Sequence, residues 1–367
     1  MDETLSMEDR HKPVVIWLLA CCGLVFGMVV LGGFTRLTGS GLSMVDWRPI
    51  TGILPPMSTE QWQVVFEMYR QYPEYMKVNA GMSLEAFKGI FWLEYLHRVL
   101  GRLVGIAFFV PFVWFLVKGN IRPKESPKYL LMFLLGGAQG LLGWYMVKSG
   151  LVDRPNVSQY RLTAHLSMAF LIYGFMLWVA LSLLFPKQGD SRHPWFRRTV
   201  ALVGLLVVTI FSGGFVAGLK AGKIYNTFPK MGDHWIPPEI GAMQPAWLNV
   251  FENAVTAQFD HRVLALTTFA LIVLYWFQSR HAGFSRRAQI ARNAFLHASI
   301  LQVALGIAAI LLAVPIVIGA AHQAVGLLLL TTGLVLTHGL RDEKVAVAVA
   351  SDDRQPAVGV GRLSVLD

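Results

Sequence analysis

Only two cysteines occur in the 367 residues, Cys21 and Cys22, adjacent inside an apolar run. No loop carries a thiol, which excludes an external disulfide framework and a thiolate-rich metal centre. The pair reads as small buried hydrophobes. Charge is scarce too: Asp, Glu, Lys and Arg make up 15% of the chain, against 54% hydrophobic residues and a mean hydropathy of +0.51. That is too apolar for a soluble domain of this length and points to the bilayer as solvent. The formal net charge is +10, from 32 Lys+Arg and 22 Asp+Glu. The cations fall between hydrophobic spans, where they set topology and meet anionic headgroups. No soluble basic domain exists, so nucleic acid is not an expected partner. The first twelve residues include Asp2, Glu3, Glu8 and Asp9, unlike an acid-poor mitochondrial presequence, and suggest a bacterial chain. The apolar run that follows is too long for a signal-peptide core and lacks a small-residue cleavage site, so it is expected to remain as a helix.

A helix needs about 20 apolar residues to cross the hydrocarbon core. Eight stretches qualify: Val14–Phe34, Trp92–Val117, Tyr129–Val147, Leu162–Phe185, Thr199–Leu219, Val255–Phe277, Ala294–Val314 and Ile316–Leu340. Three short connections are rich in cations: Lys118, Arg122, Lys124 and Lys128; Lys187, Arg192, Arg197 and Arg198; Arg280, Arg286, Arg287 and Arg292. All three fall on the side of the N-terminus, which makes that side cytoplasmic and places both termini there. A plasma-membrane location in a bacterium follows. The tails 1–12 and 341–367 flank the spans, and the second, polar and rich in small residues, is expected to be disordered. On the opposite side, loop 35–91 carries Trp47, Trp62, Tyr69, Tyr72 and Tyr75, and loop 220–254 carries Trp235 and Trp247. Within the first loop, Ser58 with Gln61 reads as a capping box. The stripe Trp62, Val65, Phe66 and Tyr69 then predicts a helix lying on the membrane surface.

The two halves repeat. Glu94-Tyr-Leu-His97-Arg98-Val-Leu is echoed by Gln258-Phe-Asp-His261-Arg262-Val-Leu, Ala164-His165-Leu by Ala321-His322-Gln, and Gln139-Gly-Leu-Leu-Gly143 by Gln302-Val-Ala-Leu-Gly306. Gly32-Gly33-Phe34 returns as Gly213-Gly214-Phe215. The expected fold is therefore an all-α integral membrane protein of eight spans. It comprises tandem four-helix bundles at 13–187 and 188–340, related by a pseudo-two-fold axis along the membrane normal.

Of ten histidines, four occupy repeat-equivalent positions: His97, His165, His261 and His322. Each is expected within the first two turns or so of an even-numbered span, near the outer face. An imidazole in hydrocarbon is costly and reads as functional, and paired histidines on facing helices are a usual way to hold a haem in a bundle. One haem per half follows. Zinc would want three or four close tetrahedral ligands, which this set does not offer. His297 and His338 fall on leucines in the other half and are expected to be structural or surface residues. His11, His193, His234 and His281 lie in polar segments and are expected to be solvated. Arg98 and Arg262 follow their histidines and suit haem propionates, with interfacial snorkelling as an equal alternative. Glu94 precedes His97 by three residues, so both project from one helix face, whereas the second half has the non-ionisable Gln258. One acid between two haem sites suggests chemistry in the first half and a permanent cofactor in the second. The alternative for Glu94 is a headgroup-level ion pair with Arg98.

Taken with Gly-Gly-Phe-Thr-Arg-Leu-Thr-Gly-Ser-Gly-Leu-Ser (Gly32–Ser43), Trp47-Arg-Pro, Pro55-Pro56, Tyr225-Asn-Thr-Phe-Pro229 and Asp260-His261-Arg262, these residues make the chain resemble the haem A synthase family over roughly Pro13 to Leu340. It is similar to the type without an outer-loop cysteine pair, so thiol-based delivery of electrons or haem is not expected. The resemblance implies an oxidoreductase that converts a methyl substituent of haem O to the formyl group of haem A through successive hydroxylations. It further implies His97 and His165 flanking the substrate haem O, Glu94 as the essential carboxylate, and His261 and His322 holding a resident haem b. Implied partners are haem O and haem A, membrane lipid, haem O synthase, terminal-oxidase assembly proteins, an electron donor or acceptor, and a second copy of the chain. Two other readings compete. A transmembrane dihaem electron carrier of b type explains the histidines but has no use for the Glu94/Gln258 difference. A repeat-built proton-coupled transporter would need further acids deep in the spans, and there are none.

Overall fold

The computed structural model of the chain describes residues 7–46, 54–150, 157–187 and 192–341. Trp47-Arg-Pro and the tail from 342 onward lie outside the described residues. Eight long helices are apolar enough to cross a membrane. They are α1 (Met7–Leu37), α4 (Leu84–Val117), α5 (Ser126–Gly150), α6 (Gln159–Leu184), α7 (Phe196–Gly218), α9 (Ala254–Gln278), α10 (Arg286–Leu311) and α11 (Ile316–Gly339). Three short helices lie in the connections: α2 (Thr59–Arg70), α3 (Pro73–Lys77) and α8 (Leu248–Glu252). Among the described residues there is no strand, only an isolated bridge between Met231 and His234. All eight expected spans are present. Both α4 and α10 start earlier than expected, at Leu84 and Arg286; the 34 residues of α4 rise about 51 Å at 1.5 Å each, well beyond a hydrocarbon core of about 30 Å.

The excess length of α4 lies at its N-terminal end, where Ser83 caps the helix by accepting from the Ala86 amide. There Phe87 and Phe91 receive Trp62, Phe66 and Tyr69 of α2. Ser58 caps α2 by accepting from the Gln61 amide, and the Gln61 side chain accepts from the Met57 amide in return. The helix forms as expected, but its apolar stripe is covered by protein: Tyr69 is fully buried and Trp62 nearly so. A stripe spent on the α4 extension is not available to lipid, which corrects the expectation of a membrane-surface helix.

Helices α1, α4, α5 and α6 pack in a ring, as do α7, α9, α10 and α11. Between the rings, α1 meets α11, α6 meets α7, and α6 meets α11. Exchanging the halves maps the first two contacts onto each other and the third onto itself. Glycines permit the close approach. A Cβ on Gly214 of α7 would come within 2.9 Å of Thr163 of α6, and one on its repeat counterpart, Gly33 of α1, within 3.2 Å of Gln323 of α11. Small residues let helix backbones meet where lipid supplies no hydrophobic drive.

The main apolar core fills the end of the bundles nearer the N-terminus. It runs from Val14 to Val29 on α1 and includes Phe108 and Phe112, Tyr129 and Met132, Tyr173 and Met176, Leu202 and Leu206, Ile272 and Tyr275, Phe295, Leu327 and Leu336. Cys21 and Cys22 belong to it, as expected of buried thiols. His193 corrects another expectation: it is 2% exposed and bonds the Ala282 carbonyl, and its own amide donates to Leu340. It ties the link between halves to the α9–α10 turn and the end of α11. Its sequence neighbours are polar, and only tertiary packing buries it.

Candidate functional site

The four duplicated histidines lie beyond the packed core, toward the other end of the bundles. His165, His261 and His322 sit six or seven residues into α6, α9 and α11, near the expected depth; His97 sits thirteen residues into α4 because that helix starts two turns earlier. All four remain partly accessible. His97 lies within electrostatic range of His165, and His261 of His322. The pairing is within halves.

Every one of these rings rests against a glycine of a neighbouring helix. A Cβ on Gly143, Gly213 or Gly306 would stand 3.0 Å from Cε1 of His165, His261 or His322, and one on Gly32 would stand 3.2 Å from Nε2 of His97. Any larger residue would push the imidazole away. Gln139 and Gln302, one helical turn before Gly143 and Gly306, reach Nε2 of His165 and His322 through long hydrogen bonds of 3.4 and 3.3 Å. The Nδ1 atoms of those two rings are buried with no partner. A buried ring nitrogen left unpaired is costly unless a ligand engages the imidazole. Paired imidazoles in glycine notches, at the level where the packed core stops, fit a haem edge-on between helices.

The sequence signal for these supporting residues was present in the repeated Gln139-Gly-Leu-Leu-Gly143 and Gln302-Val-Ala-Leu-Gly306. Spacing of four places glutamine and glycine on one helix face, but which neighbour they meet is a tertiary fact. Ser212 had no such signal. Its hydroxyl is 2.8 Å from His261 Nδ1, and its repeat counterpart is Leu31.

The residues flanking the histidines hold the straps that follow α1 and α7. In the first half, Arg98 donates to the carbonyls of Met44 (2.8 Å) and Asp46 (3.4 Å). In the second, Arg262 donates to the carbonyls of Tyr225 (2.8 Å), Thr227 (2.9 Å) and Lys230 (3.3 Å). The 3-10 turns Ser40–Leu42 and Ala221–Lys223 show the same offset as the Gly-Gly-Phe motifs, which makes Met44 and Tyr225 counterparts. The two arginines therefore do the same job, fastening the strap that follows α1 or α7.

Glu94 and Gln258 extend the parallel and then break it. Glu94 is 3% exposed. One of its oxygens accepts from Arg98 at 2.6 and 3.1 Å, and the other from the Ser43 hydroxyl at 2.7 Å and the Met44 amide at 2.8 Å. Gln258 instead donates to the Tyr225 carbonyl at 3.1 Å. The acid grips the strap by an amide N–H and the glutamine grips it by a carbonyl. The ion pair with Arg98 that the sequence offered as an alternative is present, and it is buried in protein. Four donors fix both carboxyl oxygens of Glu94 in place one turn from His97.

Beyond Glu94, Glu74 of α3 is 7% exposed, and its Oε2 has no hydrogen-bond partner. Burial, with the nearby charge of Glu94, pushes its carboxyl up to about 7, against the opposing pull of Lys220 and Arg36. Nothing in the loop sequence marked it.

A family model described as "Cytochrome oxidase assembly protein" matches residues 15–334. A "Heme A synthase" of Nitrosospira multiformis is 52% identical over 335 residues, covering 90% of this chain and 94% of that protein. One of Paramagnetospirillum magneticum is 48% identical, covering 91% and 95%, and "Heme A synthase COX15" of Arabidopsis thaliana is 47% identical, covering 91% and 76%. With its eight spans, its paired histidines and a match over most of its length, the chain belongs to the cytochrome oxidase assembly protein family.

Proposed function

We propose that this chain synthesises haem A, oxidising a methyl substituent of haem O to a formyl group by successive hydroxylations and loss of water. The observation that carries this reading is the duplication of one histidine pair, glycine-notched in both halves, with Glu94 one turn before His97 where the second half has the non-ionisable Gln258 before His261. Relatives at about half identity bear the corresponding name. In this reading His97 and His165 flank haem O, and Glu94 stabilises charge or holds a proton beside it. His261 and His322 hold a resident haem b, which supplies one-electron transfer when bound. Arg98 and Arg262 act through the straps they fasten.

The exchange pattern of the interhelical contacts supports a two-fold axis along the membrane normal. The distribution of cations supports a bacterial inner-membrane location with cytoplasmic termini and haem sites toward the periplasmic side. Haem O synthase and oxidase-assembly proteins are the partners this activity calls for, with an electron donor or acceptor and a second copy of the chain as further partners.

The dihaem carrier is the competing reading, and one preparation separates the two. Acid-acetone extraction and reversed-phase chromatography of protein supplied with haem O should yield haem b together with haem O, a hydroxylated form or haem A. Haem b alone would favour the carrier. Glu94→Gln should keep its haem and lose formyl formation; undiminished turnover would remove Glu94 from the chemistry.

A further inference from the structure

His97 and His261 occupy equivalent positions and face equivalent glycines, yet their surroundings differ at one point. Ser212 Oγ lies 2.8 Å from His261 Nδ1 and 2.7 Å from the Thr209 carbonyl oxygen. A hydroxyl has one proton and a carbonyl only accepts, so the serine proton goes to Thr209 and the serine oxygen accepts from Nδ1–H. The tautomer is thereby fixed, with the lone pair left on Nε2. The offset that places Gly213-Gly214-Phe215 on Gly32-Gly33-Phe34 puts Leu31 where Ser212 stands. Leucine offers no hydrogen bond, and the His97 ring has no hydrogen-bond partner among the described residues. The ring is also turned differently. A Cβ on Gly213 would meet His261 at Cε1, 3.0 Å away, with Nε2 at 3.6 Å, whereas a Cβ on Gly32 would meet His97 at Nε2.

We propose that Ser212 is the positioning residue that makes the second half a permanent haem seat, and that Leu31 leaves His97 an exchangeable ligand in the first. The proposal rests on the reading of the four histidines as haem ligands. An imidazole that donates its other N–H is held in orientation and made more basic, and losing such a partner commonly weakens metal binding by about 10- to 100-fold. A half that accepts haem O and gives up haem A requires an iron–nitrogen bond that breaks readily; a half that keeps its haem does not.

The test uses full-length protein in detergent, following transfer of haem to excess apomyoglobin, with each haem identified by extraction and chromatography and its midpoint potential titrated. Ser212→Ala and Ser212→Leu should release haem b at least about tenfold faster than wild type and raise its potential, because a less basic ligand favours ferric iron less. Ser212→Thr, which keeps the hydroxyl, should behave as wild type. Leu31→Ser should slow release from the first half. Unchanged release rates and potentials in Ser212→Ala would overturn the proposal, and Leu31→Ser decides it if the Ser212 variants do not fold. His261→Ala separates the two levels. If it retains haem b, the ligand reading fails. If it loses haem b while the Ser212 variants do not, only the present proposal fails.

Discussion

Replacing Gly213 by alanine adds one methyl group at the place where α7 meets His261. The new Cβ would stand 3.0 Å from Cε1, where carbon–carbon contacts are optimal at about 3.5–4.0 Å. Overpacking of this size typically costs about 1–3 kcal/mol, and alanine returns about 1 kcal/mol as the better helix former. Overall stability should therefore change little. The strain falls on the imidazole, the group free to move, so haem affinity should drop by the full steric term, about 5- to 150-fold at 1.4 kcal/mol per decade. Gly306→Ala should act alike through His322, whose Cε1 is also 3.0 Å from the added atom. Gly204→Ala on the same α7 helix is the control, since nothing lies within 4 Å of its Cβ, and it should keep its haem. The assay is haem b per polypeptide under limiting haem supply, with the Soret maximum and a thermal melt of each variant. Wild-type haem content and an unshifted Soret band in Gly213→Ala and Gly306→Ala would refute the glycine-notch account.

Two other perturbations read the segments that flank the histidine end of the bundles. Glu74 has its carboxyl lifted from 4.5 to about 7, chiefly by burial, so the folded protein binds a proton there that the unfolded chain releases above about 4.5. Stability is then lost as pH rises from about 4.5 to 7 and is flat above, amounting to about 3 kcal/mol at most. Glu74→Gln should melt progressively higher than wild type across that window; parallel pH profiles would show that Glu74 is not the group responsible. Arg262→Lys keeps the charge but not the fork that reaches three carbonyls. Losing one or two charge-assisted bonds of about 1.5–3 kcal/mol each should speed tryptic cleavage at Lys220, Lys223 and Lys230 by about tenfold or more, and unchanged cleavage would contradict the strap assignment.

The eight spans were legible because the hydrocarbon core imposes a length on any crossing helix, and hydropathy runs carry that length openly. The histidine pairs were legible because duplication repeats a register, and an imidazole repeated inside a span reads as a site. The partners of those residues were not. Sequence places Gln139 and Gly143 on one helix face, but their placement against His165 depends on how α5 and α6 rotate about each other. Glu94 and Arg98 were seen as a possible pair, yet their shared task of holding Met44 required the strap to fold back over α4. His193 and Tyr69 show the same limit from the apolar side: one looks solvated and the other looks lipid-facing until the neighbouring elements close over them. Local composition and periodicity determine which segments are helices and which residues repeat. Contacts between segments distant in the chain determine which nitrogen is held, which carboxylate is paired and which apolar stripe is covered, because those depend on packing geometry that no window of sequence contains.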